Sequence, residues 1–93
     1  MRLYNDRGAC LAGARITDAV RPGVVILATG AWYDPHTPGG LERHGNPNVL
    51  TLDKGTSRLA QGPSAHTTLV EMELAGDAMP RVEAFDAPTI LPA

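Results

Sequence analysis

The sequence has a single cysteine, few aromatic residues and almost no net charge. Cys10 alone cannot build an internal disulfide framework or a cysteine-only metal site, and its apolar neighbours predict a buried, reduced thiol. Eight Lys and Arg residues against ten Asp and Glu give a formal net charge of −2, so no basic field exists to hold nucleic acid. No apolar run approaches the roughly 18 residues of a membrane helix. We therefore expect neither a nucleic-acid nor a membrane partner.

Glycine and proline are abundant instead, with ten Gly and eight Pro among 93 residues, which argues against long helices. Residues 9–17 alternate in character, as a strand does, after a turn at Gly8. A type II turn at Pro22-Gly23 is predicted to lead into a fully buried strand over residues 24–27. The clearest two-residue period lies at 65–74, where His66 shares a face with alternate apolar residues. The chain is thus predicted to be mostly β.

Two stretches lack this patterning. Residues 29–64 contain no convincing strand, and loops of that length in compact domains are usually functional or disordered. Function is favoured here because the loop is rich in groups that stack or form directional hydrogen bonds. These groups are Trp32, Tyr33, His44, Asn46, Asn48, Thr51, Thr56, Ser57 and Gln61. Residues 75–93 carry three prolines and weak patterning, and are predicted to be an irregular or disordered tail.

Catalytic and metal-binding interpretations of the loop are weakly supported. Ser57, His44 and Asp53 could be assembled as a hydrolytic triad, but no nucleophile elbow surrounds the serine. His36, His44 and His66 lack the short spacings of recognisable zinc sites. Exposed loop histidines are the more common explanation for such a pattern.

Two polar segments, residues 44–51 and 55–62, favour binding without catalysis. Amide side chains offer a donor and an acceptor together, which suits the edge of a purine or pterin ring, and glycines let backbone N–H groups approach phosphate. The alternative is structural, with Asn46, Asn48 and Thr51 capping turns and a short helix. The residue types alone favour the two interpretations equally.

Three ordered motifs carry a family resemblance: NDRGACLAGARITDAVRPGVV at residues 5–25, TGAWYDP at 29–35, and the segment 44–62. Together they resemble the C-terminal molybdopterin-dinucleotide-binding domain of the dimethyl sulfoxide reductase family. The trimethylamine N-oxide and biotin sulfoxide reductase branch is the most similar. The resemblance covers about residues 2–74 and is expected to exclude the tail.

The resemblance implies a six-stranded double-psi β-barrel, like that of aspartate decarboxylase. Roughly another 40 residues would precede Arg2 in the family, so the barrel is expected to be incomplete on its N-terminal side. The implied division is a partial barrel over residues 1–74 and a tail over 75–93. An open barrel edge invites pairing with the remaining domains of a parent reductase or with a second copy.

The cofactor implied by the resemblance is molybdenum bis(molybdopterin guanine dinucleotide). In this sequence its site would be lined by Arg7, Gly8, His44, Gly45, Asn46, Asn48, Thr51, Ser57 and Gln61. Trp32 would either close over the site or pack against a neighbouring loop. The family's molybdenum ligand comes from another domain, and neither Ser57 nor Cys10 matches it.

The implied function is to bind this cofactor as the C-terminal part of an S-oxide or N-oxide reductase, without catalysing oxygen-atom transfer alone. The alternative is an isolated β module that dimerises and binds no cofactor. The family resemblance leaves a periplasmic or a cytoplasmic bacterial location open, because an export signal would lie upstream of Met1.

Overall fold

A small antiparallel sheet organises the computed structural model. The structure describes residues 1–62, 64, 68–76 and 80–92. The sheet contains β1 (Arg2–Tyr4), β2 (Ala9–Leu11) and β3 (Glu71–Glu73), in the order β2-β1-β3. Leu3 on the central strand lies opposite Cys10 on one side and Met72 on the other. A one-turn 3-10 helix spans Pro47–Val49. These elements agree with the prediction of a mostly β chain.

The turn predicted at Gly8 joins β1 to β2, and Asn5 explains why it forms. The Asn5 side-chain oxygen accepts hydrogen bonds from the backbone N–H groups of Arg7 at 2.9 Å and Gly8 at 3.3 Å. The Asn5 backbone N–H donates to the Gly8 carbonyl at 3.0 Å. Asparagine is well suited to this role, because its short amide can mimic a backbone turn.

The buried apolar core is small. Leu3, Cys10 and Leu50 form one cluster, and Leu11, next to Cys10 on β2, is also buried. The predicted burial of Cys10 is confirmed, since none of its surface is exposed. A core of this size stabilises the centre of the sheet but leaves much apolar surface in contact with water.

The prediction of a fully buried strand over residues 24–27 is wrong. The preceding turn forms as expected, with Gly23 at φ +82° and the Val24 N–H bonded to the Arg21 carbonyl at 3.1 Å. Val25 and Ile26 are nevertheless 45% and 77% exposed, and the segment joins no sheet in the described part of the chain. Leu27 packs against the core, but two open cavities of about 530 and 380 Å³ border the segment on the side of Leu3, so the described residues leave it largely uncovered.

The other predicted strands are shorter than expected. From the alternation at 9–17 only Ala9–Leu11 is a strand, and from 65–74 only Glu71–Glu73. Ala65, His66 and Thr67 lie outside the described residues. Within the described residues, the ladders pair only Arg2–Tyr4 with Ala9–Leu11 and with Glu71–Glu73.

The described part of the tail, residues 75–76 and 80–92, contains neither helix nor strand. In the described ranges, no helix has the length and apolar character to cross a membrane.

Candidate functional site

A buried carboxylate, Glu42, connects the sheet to the long loop. Its carbonyl accepts a hydrogen bond from the Leu11 N–H at 2.7 Å, and its own N–H donates to the Ala9 carbonyl at 3.0 Å. Through these two bonds, Glu42 pairs alongside β2 as a single loop residue at its edge. The Glu42 side chain is consequently carried into the interior, where none of it is exposed.

The Glu42 carboxylate organises the start of the predicted binding segment. One oxygen accepts the backbone N–H groups of Asp34 at 3.2 Å and His44 at 2.9 Å, and the other accepts the Asn46 N–H at 2.6 Å. Hydrogen bonds to an ionised acceptor are stronger than neutral ones, and three of them compensate for burying the charge. Sequence reasoning missed this residue, because an isolated glutamate in a polar loop carries no pattern that distinguishes it from a solvated one.

Cys10 lies beside this carboxylate. Burial, together with the nearby negative charge of Glu42, raises the pKa of the Cys10 thiol to about 11. The thiol therefore stays protonated near neutral pH and is a poor nucleophile and metal ligand.

Gly45 and Asn46 shape the turn that precedes the 3-10 helix. Gly45 adopts φ +86° close to the Leu11 carbonyl, a conformation and an approach that suit glycine. Asn46 is the helix N-cap: its side-chain oxygen accepts the Asn48 N–H at 2.9 Å, while its side-chain nitrogen donates to the Ala31 carbonyl at 3.0 Å. The Asn46 amide is thus committed to capping contacts within the protein.

The Arg7–Gly8 turn packs on the other end of the same helix. Arg7 Nε donates to the Leu50 carbonyl at 2.8 Å, and Asn5 Nδ2 donates to the same carbonyl at 2.9 Å. At Gly8, a Cβ atom would lie 2.5 Å from the Val49 carbonyl oxygen, so only glycine permits this approach. The structure therefore brings together the two predicted site segments around Arg7 and around the helix.

Asn48 and Thr51 lie on the outer side of this junction. Asn48 is exposed, and its side-chain amide makes no hydrogen bond within the described residues. The Thr51 hydroxyl donates to the Asn48 carbonyl at 3.3 Å. Unlike Asn46, Asn48 keeps both its donor and its acceptor available to a ligand.

His44 sits at the edge of the site in contact with two aromatic residues. Its Nδ1 lies 3.0 Å from the Trp32 carbonyl oxygen. The ring of Phe85, from the tail, meets the imidazole edge-on with a centroid distance of 5.1 Å. Trp32 remains 69% exposed and packs loosely on Phe85, with centroids 6.5 Å apart.

An ion-pair network joins the tail to the loop. Arg43 bonds the carboxylates of Asp34 and Glu83, at 3.0 Å each. The second Asp34 oxygen accepts the backbone N–H groups of Glu83 at 2.6 Å and Ala84 at 3.0 Å. The hydrogen bond from Arg43, assisted by these N–H groups, lowers the pKa of Asp34 below its ordinary value. Arg43 Nε is buried without a partner in the described part of the chain.

Ser57 and Gln61 form a separate, exposed turn. The Ser57 hydroxyl oxygen accepts the Ala60 N–H at 2.9 Å, and Gln61 Nε2 donates to the Ser57 carbonyl at 2.7 Å. Among the described residues, no hydrogen bond joins this turn to His44 or to Asp53, so no triad is assembled. Nor do the described ranges contain three His, Cys, Asp or Glu side chains placed to hold a metal ion.

Comparison with known proteins gives one family and several long relatives. The model of the family described as Molydopterin dinucleotide binding domain matches residues 1–69. Biotin sulfoxide reductase of Cereibacter sphaeroides is 58% identical over 88 residues, which cover 94% of this chain and 12% of that protein. Trimethylamine-N-oxide reductase of Salmonella typhi is 54% identical over 91 residues, covering 95% of this chain and 11% of that protein.

A third relative shows the same proportions. Dimethyl sulfoxide/trimethylamine N-oxide reductase of Cereibacter sphaeroides is 46% identical, covering 95% of this chain and 11% of its own length. The expectation that the resemblance excludes the tail is wrong, because these alignments extend well beyond residue 75. The chain spans about a tenth of the length of these curated relatives.

Proposed function

The chain belongs to the molybdopterin dinucleotide-binding domain family, on the branch of the trimethylamine N-oxide and biotin sulfoxide reductases, and on that premise we propose that it binds molybdenum bis(molybdopterin guanine dinucleotide) as the C-terminal part of an S-oxide or N-oxide reductase. The observation that carries the proposal is the junction of the Arg7–Gly8 turn with the 3-10 helix. At this junction the side-chain amide of Asn48 is exposed and has no hydrogen-bond partner among the described residues.

The groups available at this junction suit the cofactor's polar parts. The Asn48 amide offers a donor and an acceptor to a purine or pterin edge, and the Thr51 hydroxyl can also accept. The Arg7 guanidinium is anchored through Nε, and its Nη1 lies 3.5 Å from the exposed Asp6 carboxylate, so Nη2 is the nitrogen proposed to reach phosphate. His44 adds a ring nitrogen. These four residues are proposed to contact the cofactor directly.

The remaining predicted residues divide into supporting and peripheral groups. Gly8, Gly45 and Asn46 are proposed to shape the site, because close approach, positive φ and capping account for them. Ser57 and Gln61 are proposed to meet a different part of the cofactor from their own exposed turn. Cys10, with its buried and protonated thiol, is not proposed as a ligand.

When bound, the cofactor's metal supplies two-electron oxygen-atom transfer, and this chain only binds and orients the pterin and nucleotide groups. We infer further that the sheet is part of a double-psi β-barrel. Support comes from the apolar walls of Leu3, Met72 and residues 24–27, which face cavities that another strand would fill. The remaining domains of a reductase are proposed to cover this surface; pairing with a second copy is the alternative.

A chimeric enzyme tests the binding function. The matching segment of the Salmonella typhi reductase is replaced by this chain, and molybdenum per protein is measured. Combining Arg7→Ala, Asn48→Ala and Thr51→Ala should lower the cofactor affinity about a hundredfold, because three hydrogen bonds of about 1 kcal/mol each are lost. Molybdenum content should fall accordingly.

The matched control combines Arg15→Ala, Asp18→Ala and Lys54→Ala, three exposed residues away from the junction, and should retain the metal. Unchanged molybdenum content in the site variant would refute the assignment. An isolated dimeric module that binds no cofactor would instead give a chimera without molybdenum even when unmutated.

A further inference from the structure

Three hydrogen bonds join the tail to the loop at Asp34 and Arg43, and a fourth joins these two loop residues to each other; together they form an anchor. The Asp34 carboxylate bonds Arg43 at 3.0 Å and the backbone of Glu83 and Ala84, and Arg43 reaches the Glu83 carboxylate. The side chains of Asp34 and Arg43 are only 8% and 9% exposed. Partial burial makes this ion pair stronger than a surface pair, because less water screens it.

The anchor places Phe85 against His44. The two rings meet at 86° with their centroids 5.1 Å apart, the edge-to-face arrangement favoured by aromatic quadrupoles. Phe85 is otherwise 76% exposed, so it contributes little to a core. An exposed aromatic side chain that a largely buried ion pair holds against His44, and more loosely against Trp32, indicates a positioning role.

The contact with Trp32 decides which nitrogen of His44 carries the proton. A carbonyl oxygen can only accept, so the 3.0 Å contact requires a proton on Nδ1. In the neutral ring Nε2 then has a free lone pair, and Nε2 has no partner among the described residues. The ring therefore presents an acceptor to whatever approaches it.

We propose that Phe85, anchored through the Asp34–Arg43–Glu83 network, is a positioning residue that holds His44 as an acceptor at Nε2 for an N–H or O–H donor of a bound ligand. The ligand part of this inference rests on the proposed cofactor-binding function. The positioning part does not, because it concerns contacts within the chain.

Imidazole nitrogen resonances of the 93-residue chain test the positioning at about pH 8, where histidine rings are normally neutral. The His44 signals are identified by their loss in His44→Gln. Unmutated protein should show a protonated Nδ1 and an unprotonated Nε2. Phe85→Ala should shift both nitrogens toward the averaged values of a ring that exchanges tautomers, whereas Ile90→Ala, at another exposed apolar tail residue, should not.

Two further variants guard against a simple folding defect. Phe85→Leu keeps the apolar bulk without the ring, and Asp34→Asn weakens the anchor without removing Phe85. Both should produce the same averaging. Unmutated protein with its proton on Nε2, or fixed-tautomer signals in all three variants, would overturn the positioning.

Titration with GDP tests the second part of the proposal, that His44 accepts a hydrogen bond from a bound ligand. Phe85→Ala should weaken GDP binding about fivefold, equivalent to one hydrogen bond, while Ile90→Ala leaves it unchanged. Equal affinities in the two variants would overturn His44 as a positioned acceptor. Unmutated protein that ignores GDP would count against the cofactor function, and the ring resonances would still decide the positioning.

Discussion

At the scale of single residues, Glu42 and Gly8 shape the candidate site through contacts within the protein. Glu42 is fully buried and gathers the N–H groups of Asp34, His44 and Asn46. Gly8 allows the Arg7 turn to rest on the Val49 carbonyl. Both residues hold the backbone of the site in place, so substituting either one should lower the free energy of unfolding.

Replacing Glu42 by Gln should lower the free energy of unfolding by about 2–3 kcal/mol. The amide keeps one acceptor oxygen but turns an N–H group toward backbone donors, which leaves a buried donor unsatisfied. Urea denaturation measures the change. Glu71→Gln on exposed β3 is the matched control and should alter stability by less than about 0.5 kcal/mol. Equal effects of the two substitutions would contradict the role given to Glu42.

Gly8→Ala should destabilise the chain by about 1–3 kcal/mol, because the added Cβ would lie 2.5 Å from the Val49 oxygen and force the turn away from the helix. Gly13→Ala meets nothing within 4 Å and serves as the control. Thermal unfolding of both variants gives the comparison. A Gly8 variant as stable as the Gly13 variant would show that the close approach does not exist.

The raised pKa of the Cys10 thiol predicts that the folded chain loses stability at alkaline pH. Its pKa is raised in the folded chain from 9.0 to about 11, so the native state holds the proton more tightly than the unfolded state. This contribution is fully present below pH 9 and is lost as the pH rises toward 11, by on the order of 2 kcal/mol. The difference in unfolding free energy between unmutated protein and Cys10→Ala, followed from pH 8 to 11, isolates the effect. A difference that stays constant would contradict it.

At the scale of elements, the 3-10 helix Pro47–Val49 is the piece on which both site segments converge. Asn46 caps its start, and the Arg7 turn bonds the Leu50 carbonyl at its end. Asn46 and Asn48 therefore have different roles. Asn46 is 9% exposed and satisfied by the protein, while Asn48 is exposed and its side-chain amide has no partner among the described residues.

Asn46→Ala should therefore cost about 1–2 kcal/mol of stability through the lost cap and the lost bond to Ala31. Asn48→Ala should cost almost nothing, because its amide holds no protein partner within the described residues. Chemical denaturation distinguishes the two. Equal losses of stability in the two variants would show that Asn48 has a structural role, and would contradict its proposed contact with the cofactor.

At the scale of the whole molecule, the exposed apolar surface is the dominant feature. Residues as large as Ile16, Leu59 and Leu74 are exposed, and the core is limited to a few side chains. Contiguous exposed apolar surface usually marks an interaction site. Coverage by further domains is the explanation we propose for this surface, in keeping with relatives roughly ten times longer than the chain.

The sequence predicted features that depend on local chemistry. The Gly8 and Pro22-Gly23 turns, the buried Cys10 and the polar loop all follow from residue type. It failed at residues 24–27, because an apolar run indicates a need for burial and does not supply the partner that buries it. It also missed Glu42, since the burial of one carboxylate depends on a contact between β2 and a loop about thirty residues away.

An amide correlation spectrum of the chain, recorded with and without GDP as a stand-in for the nucleotide end of the cofactor, is the most decisive test of cofactor binding. We expect dispersed signals whose GDP-induced shifts concentrate at Arg7, Gly8 and residues 44–51. A dispersed spectrum that GDP leaves unchanged at these residues would contradict the proposed binding function.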